Sequence, residues 1–210
     1  MAVLYLDFFP RESKRSGAWM TEFRGTKIED GAETRPLVSL VMNFTKPTET
    51  APSLLTFDEL ETFLHEFGHA LHGMLGEGEY ESQTGTNVYR DFVELPSQLM
   101  ENWATEKEFL DLWAVNYQTG EPIPAEIVDR IVAAQNYLAA YGNVRQLSFG
   151  MTDMAWHTLT EPFEGGVERF EAVSMAPTQV LPVVSGTAMA PAFGHIFSGG
   201  YAAGYYGYKW

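Results

Sequence analysis

The motif HEFGH at residues 65–69 constrains this chain more than any other feature. It lies within residues 56–75, which are predicted to form a helix because apolar residues recur along one face and Thr56 with Glu59 matches a capping box. Residues four apart share a helix face, so His65 and His69 can direct two imidazole nitrogens to one point. This arrangement suits one Zn²⁺ ion, with Glu66 as general base rather than ligand.

A third metal ligand is expected elsewhere, because a catalytic zinc site usually has three protein ligands. Glu94 is the first choice, since the loop of residues 76–85 is long enough to turn the chain back toward the first helix. Asp91 and Glu101 are the alternatives. On spacing alone, Glu94 is equally well interpreted as a solvent-exposed carboxylate at the start of a helix.

Composition limits the classes of protein to be considered. With 210 residues, 45% hydrophobic and 20% charged, the chain is long enough for one domain with a real core. It contains no cysteine, so disulfides and thiolate ligands are excluded, and its net charge of −15 argues against a nucleic-acid partner. No apolar run of membrane length and no signal peptide is recognised, so we expect a soluble protein with no membrane partner, cytoplasmic or alternatively periplasmic.

The residue pattern predicts a mainly α fold with a small β-sheet, the α+β class. Residues 1–45 form a small β region with strands at 3–9, 17–23 and 36–44, either a structural hairpin or an edge that a substrate peptide could extend. Residues 53–110 would supply the zinc-binding helices, and residues 99–113 are predicted to form one helix. Residues 111–192 are expected to be helical, with helices at 124–140 and 144–159 separated by Gly142 and Asn143, and with His157 in a packing or surface role.

Residues 193–210 are rich in glycine and tyrosine. Glycines let a backbone approach a ligand closely, and tyrosine phenols can donate hydrogen bonds to an oxyanion. Aromatic clusters are more often part of a core. The residues alone therefore leave both interpretations open.

The motif HEFGHALH at residues 65–72, followed by GTNVYRDFVELPSQ at residues 85–98, resembles the thimet-oligopeptidase family of zinc metallopeptidases. That family includes oligopeptidase A and the bacterial peptidyl-dipeptidases. The resemblance implies a zincin-like catalytic domain of neurolysin-like fold, with Glu94 as the third zinc ligand. It covers nearly all 210 residues but only the C-terminal catalytic portion of the family, and thus implies a single partial catalytic domain, a fragment of a longer enzyme.

The glycine- and tyrosine-rich run resembles the mobile tyrosine loop of the same family. The resemblance implies catalytic roles for His195, Tyr201 and Tyr208, and substrate binding by Tyr205, Gly199 and Gly200. The spacing from His195 to Tyr201 is similar to that of the peptidyl-dipeptidases.

The expected function is therefore zinc-dependent hydrolysis of short peptides with release of C-terminal dipeptides. An oligopeptide endopeptidase, or a catalytically weak fragment that binds zinc or peptide, is the alternative. Expected partners are short peptides and either the remainder of the catalytic domain or a second copy of the chain.

Overall fold

The computed structural model describes residues 1–209 and shows a mainly helical fold with a small sheet, in agreement with the predicted α+β class. The chain forms two compact units, Met1–Val132 and Ala133–Trp210. That both belong to one partial catalytic domain stays a prediction. Among the helices of residues 1–209, none combines the length and the apolarity needed to span a bilayer.

The first unit begins with a three-stranded sheet. Its strands are β1 (Val3–Asp7), β2 (Trp19–Arg24) and, after a short hairpin, β5 (Leu37–Val41). Strand β5 lies in the middle, parallel to β1 and antiparallel to β2. The three predicted strands are thus confirmed with bounds shifted by a few residues.

The hairpin between β2 and β5 was not predicted. It consists of β3 (Ile28–Glu29) and β4 (Ala32–Glu33), joined by Asp30 and Gly31. Both joining residues have positive φ angles, 53° and 77°. An Asp-Gly pair favours this two-residue turn, because the turn requires left-handed backbone at both positions.

Helix α1 (Phe57–Leu75) packs on the sheet and forms the core of the first unit. Its capping box is confirmed: the Thr56 hydroxyl accepts from the Glu59 N–H at 3.2 Å, and the Glu59 carboxylate accepts from the Thr56 N–H at 2.9 Å. Buried side chains of β5 and the residues after it meet Ala70 of α1, with aromatic rings of α1 packed around them. These residues are Val38, Leu40, Met42, Phe44, Ala70, Phe63 and Phe67.

The predicted helix at residues 99–113 is wrong. Helix α2 runs over Arg90–Glu101, a 3₁₀ turn follows at Asn102–Thr105, and α3 covers only Lys107–Leu110. Helix α2 continues through Pro96, which has no N–H to donate to the helix ladder. Glu94 therefore lies within a helix and not at its start.

The helical part of the chain is also divided differently from the prediction. Helix α4 (Ala125–Gln135) ends before residue 140, and α5 (Ala139–His157) runs through Gly142 and Asn143. The break falls instead at Leu138, whose φ is 55°. A glycine inside a helix costs only about 1 kcal/mol, so the Gly-Asn pair does not stop the helix.

The second unit continues with α6 (Val167–Met175), α7 (Gly194–Phe197) and a 3₁₀ helix at Tyr205–Lys209. Phe193, Ile196 and Tyr205 form its buried cluster, against which Phe149 and Trp156 of α5 pack. The segment predicted as a loop therefore has short helical turns at both ends.

Candidate functional site

Helix α1 directs His65 and His69 to the same side. One helical turn separates them, and their ring centroids lie 4.9 Å apart at an interplanar angle of 84°. Phe63 and Phe67 of the same helix pack toward the core. The predicted division of α1 into an apolar face and a histidine face is therefore present in the structure.

Helices α1 and α2 cross at Gly68, where their backbones come very close. A β-carbon on Gly68 would lie 2.5 Å from Ser97 Cα and 2.6 Å from Pro96 O. Real side chains do not reach such distances, so only glycine fits at this position. The crossing brings Glu94, one turn before Ser97 on α2, against the two histidines.

Three donor atoms converge at this crossing. Glu94 Oε2 lies 3.2 Å from His65 Nε2 and 3.2 Å from His69 Nε2, and one ligand atom of each residue lies within 4.8 Å of the others. Ligands of a tetrahedral zinc at 2.0–2.1 Å lie about 3.3 Å apart, so the donor types and spacing fit Zn²⁺. Neither Asp91 nor Glu101 belongs to this group among the described residues. The geometry favours Glu94, and its role as a ligand stays a prediction.

Glu101, one of the alternative ligands, contacts the second ring nitrogen of His65. The His65 Nδ1–H donates to Glu101 Oε1 at 2.6 Å. Burial by itself would lower the pKa of His65, but the hydrogen-bonded carboxylates of Glu101 and Glu94 raise it to about 10. A carboxylate on Nδ1 fixes the ring orientation, and a metal at Nε2 would replace the proton there. Glu101 was predicted only as an alternative ligand; its spacing of seven residues from Glu94, which places both on one helix face, is the signal that could have indicated this supporting role.

Glu66 lies beside the histidines and is only 7% exposed. Burial raises the pKa of its carboxyl, while nearby His65 and His69 and a hydrogen bond from the Met20 backbone oppose the rise. A general base that works near neutral pH needs a carboxyl pKa above its ordinary value. The environment of Glu66 therefore suits the predicted role.

Ser97 supports the glutamate and was not predicted from the sequence. Its fully buried hydroxyl lies 2.9 Å from Glu94 O and 3.1 Å from Glu94 Oε2, both of which can accept from it. A hydroxyl donor to a ligating carboxylate limits the orientations that the carboxylate can take. A single serine in a helix carries no spacing signal that would have revealed this contact.

The second unit contains the other predicted site residues. The His195 ring centroid lies 6.2 Å from that of Tyr201, 6.0 Å from that of Tyr205 and 6.1 Å from that of Tyr208. Tyr201 and Tyr208 stack at 5.2 Å. His195 is exposed, whereas Tyr201 and Tyr208 are half-buried, so all three have surface that a substrate can reach.

Tyr205 differs from the other tyrosines because it is buried. It packs with Phe193 and Ile196, and its phenol donates to Gln146 Oε1 at 3.2 Å. Burial raises the pKa of the Tyr205 phenol. These contacts account for the residue as part of the core, and its predicted contact with substrate stays a prediction.

Gly199 and Gly200 turn the chain after α7. A β-carbon on Gly199 would lie 2.9 Å from His195 Cα, and Gly200 has a φ of 83°. The Gly199 N–H donates to Gly194 O at 2.7 Å. The turn explains why glycine is needed at both positions, and substrate binding by this pair stays a prediction.

The predicted site residues thus form two groups. His65, Glu66, His69 and Glu94 are brought together in the first unit. His195, Tyr201, Tyr205 and Tyr208 are brought together in the second. That both groups act in one active site stays a prediction.

Comparisons with known proteins identify the family. The model of Peptidase family M3 matches residues 1–210. The chain is 44% identical to oligopeptidase A of Escherichia coli (strain K12) over 210 residues, which cover 98% of the chain and 31% of the relative. It is 41% identical to dipeptidyl carboxypeptidase of Salmonella typhimurium over 214 residues, which cover 100% of the chain and 31% of the relative. It is 42% identical to the probable cytosolic oligopeptidase A of Arabidopsis thaliana over 218 residues, which cover 100% of the chain and 31% of the relative.

The chain therefore spans about a third of the length of these relatives. The match nevertheless extends over the whole chain, so it includes the histidine motif at residues 65–69 and the tyrosine-rich segment at residues 193–210. The resemblance read from the motifs is confirmed: this chain belongs to peptidase family M3.

Proposed function

We propose that this chain carries the catalytic residues of a zinc-dependent peptidase that cleaves short peptides and releases C-terminal dipeptides. The observation that supports it most directly is the convergence of His65, His69 and Glu94 beside the buried Glu66. Relatives named oligopeptidase A and dipeptidyl carboxypeptidase support peptide hydrolysis as the reaction class. A zincin-like, neurolysin-like fold is part of the same proposal.

In this proposal His65, His69 and Glu94 hold Zn²⁺, and Glu66 moves the protons. When bound, Zn²⁺ acidifies a water molecule and polarises the scissile carbonyl. The Glu66 carboxylate accepts a proton as the water attacks the peptide carbon, and then transfers it to the nitrogen of the leaving amine. Burial raises the pKa of the Glu66 carboxyl, which makes its carboxylate a stronger proton acceptor than an exposed one.

The second group would bind the substrate and stabilise the charge on the carbonyl oxygen. The Tyr208 phenol, with His195 or Tyr201, is proposed to donate hydrogen bonds to the oxyanion. Removing one donor of this kind typically lowers the rate by about 10²–10³-fold. The exposed or half-buried positions of these three side chains are compatible with that role.

A second candidate, endopeptidase action within oligopeptides, is suggested by the relatives named oligopeptidase A. The identity to oligopeptidase A is 44% and that to dipeptidyl carboxypeptidase is 41%, too close to decide between them. Peptides with a free C-terminus and their amidated forms separate the two modes, because dipeptide release should suffer more from loss of the terminal carboxylate. Equal cleavage of both forms would favour the endopeptidase.

The proposal is tested by metal content together with cleavage of a quenched fluorescent peptide. Wild-type protein should bind one zinc ion and cleave the peptide. Glu66→Gln should retain zinc and lose at least about 10²-fold in rate, because the base is gone. Glu77→Gln, which changes an exposed carboxyl just after α1, should behave as wild type. Zinc binding without cleavage would instead favour the catalytically weak zinc- or peptide-binding fragment.

Association with the remainder of a catalytic domain, or with a second copy, is also proposed. Helix α2 exposes Phe92, Leu95 and Leu99, at 48%, 54% and 61% of their surface. Apolar surface of this kind favours association in water. Light scattering after gel filtration should show a mass above that of one chain, and a monomer at all concentrations would contradict self-association.

We also propose a cytoplasmic location, with the periplasm as the alternative. One relative is named as a probable cytosolic oligopeptidase A. Cell fractionation with an antibody to the chain tests this assignment directly, because the two locations separate in different fractions.

A further inference from the structure

A buried aspartate on α5 binds the backbone of the tyrosine segment. Asp153 is 1% exposed, and its two carboxylate oxygens accept separate amide hydrogens. The Ala203 N–H donates to Oδ1 at 2.9 Å, and the Tyr205 N–H donates to Oδ2 at 2.9 Å. His157 Nδ1 also lies 2.8 Å from Oδ1. Fifty residues along the chain separate this carboxylate from the loop that it holds.

These hydrogen bonds hold a backbone conformation that is otherwise unfavourable. Ala203 has a φ of 53°, in the left-handed region that side chains other than glycine rarely adopt. Hydrogen bonds to an ionised acceptor are shorter and stronger than those between neutral groups. The carboxylate of Asp153 can therefore stabilise a turn that the sequence Ala-Ala-Gly does not itself enforce.

The turn that Asp153 binds lies between Tyr201 and Tyr208, the tyrosines that are proposed to contact the substrate. Tyr201 precedes it and Tyr208 follows it, yet the two rings stack on each other at 5.2 Å. That contact requires the chain to reverse between them, and the reversal occurs at residues 202–204, where Gly204 N–H donates to Tyr201 O. A change in backbone at residues 203–205 would thus alter the relative positions of the two phenols.

We propose that Asp153 is a positioning residue that fixes the tyrosine segment through two backbone amides and thereby sets the phenols of Tyr201 and Tyr208. The catalytic part of this inference rests on the proposed function. The structural part, that the carboxylate determines the arrangement of the segment, can be measured without any substrate.

Glu171 of α6 provides a matched control. It is 7% exposed, and its carboxylate also accepts two consecutive backbone amides, those of Met189, at 2.8 Å, and of Ala190. Those amides lie before the tyrosine segment and not within it. A change at Glu171 therefore removes the same kind of contact without releasing the backbone between Tyr201 and Tyr208.

The experiment compares Asp153→Asn with Glu171→Gln in the full chain. Asp153→Asn replaces one acceptor oxygen by an amide donor, so exchange of the Ala203 and Tyr205 amide hydrogens should become about 10-fold faster or more. The ¹⁹F signals of 3-fluorotyrosine at positions 201 and 208 should shift or broaden. With zinc content and KM unchanged, kcat should fall by about 10–100-fold. Glu171→Gln should alter exchange at residues 189 and 190 and leave kcat within about twofold.

Several results would overturn the proposal. Unchanged fluorotyrosine signals in Asp153→Asn would show that the carboxylate does not set the phenols. Equal losses of kcat in both variants, or none in either, would reduce Asp153 to a general structural role. Should Asp153→Asn not fold, exchange in the wild type decides: protected amides at 203 and 205 support the proposal, and exchange as fast as in an unstructured peptide refutes it.

Failure of the proposed function gives a different result. In that case the zinc-loaded wild type would cleave no peptide, whereas the exchange and fluorine measurements on Asp153→Asn would still show whether the carboxylate positions the phenols. Altered signals would then support the positioning role, and unchanged signals would overturn it.

Discussion

Replacing Gly68 by alanine tests whether the close crossing of α1 and α2 assembles the proposed zinc site. The added β-carbon would lie 2.5 Å from Ser97 Cα and 2.6 Å from Pro96 O. Nonbonded carbon atoms pack at about 3.5–4.0 Å, so the helices must separate locally by about 1 Å. The obstructing atoms belong to the backbone, and no side-chain rotation can relieve the overlap.

The expected change in stability is moderate, because two effects oppose each other. Overpacking costs about 1–3 kcal/mol, whereas alanine in a helix interior is favoured over glycine by about 1 kcal/mol. The net loss in free energy of unfolding should therefore be at most about 2 kcal/mol. For a chain of this size that corresponds to a fall in Tm of at most about 4–8 °C.

The expected change in zinc binding is larger than the change in stability. A metal site tolerates displacements of about 0.5 Å in its ligands, and Glu94 must move with α2 while the histidines remain on α1. We expect zinc affinity to fall by at least about 10-fold, comparable to the loss of a supporting hydrogen bond at a metal site. Competition with a chromophoric chelator measures this affinity.

Gly150→Ala is the matched control for this prediction. Gly150 lies inside α5, and a β-carbon there would have no heavy atom within 4 Å. This variant should gain about 1 kcal/mol of helix stability and keep the wild-type zinc affinity. If Gly68→Ala also showed wild-type affinity and a raised Tm, the crossing would not be what assembles the site.

Three further changes test the supports of the site and of the fold. Glu101→Gln removes the charged acceptor of the His65 Nδ1–H and should weaken zinc binding by about 10-fold or more in the same chelator assay. Thr56→Ala removes the side-chain half of the capping box and should lower the free energy of unfolding by about 1 kcal/mol in urea, and an unchanged midpoint would contradict this. Burial raises the pKa of the Glu22 carboxyl above 4.5, so the folded state holds this proton more tightly and loses stability as pH rises from the unfolded pKa to the folded one. Glu22→Gln should therefore be more stable than wild type at about pH 7 but not at about pH 4, as measured by chemical denaturation.

The first helix was predictable because its signals are local. The capping box, the apolar face and the histidine pair all lie within residues 56–75, and the structure begins α1 at Phe57 with Thr56 as its cap. The three strands were predictable for the same reason, since alternation of side chains is read within each segment. Local patterns thus predicted helix α1, which carries both proposed histidine ligands.

Spacing alone could not select the third donor, which only the family resemblance assigned to Glu94, because its position depends on a distant contact. Glu94, Asp91 and Glu101 have similar spacing from the histidines, and only the residue that faces α1 at the crossing can join them. That face is set by the fit of Gly68 against Ser97, a contact between residues that are far apart in the chain. The proline in α2 adds to the difficulty, because proline is more often found at a helix boundary than inside one.

The buried acids show why the charge of the chain is only partly a surface property. Glu66, Glu94, Asp153 and Glu171 are all nearly inaccessible, although the chain carries a net charge of −15. A carboxylate removed from water must find partners, and the kind of partner differs among these four. His65 and His69 lie beside both Glu66 and Glu94, whereas Asp153 and Glu171 each accept two backbone amides of a later loop, with His157 also beside Asp153. A pair of backbone amides from a later loop therefore distinguishes the two acids that fix a loop from the two beside the histidine pair, and composition alone cannot make this distinction.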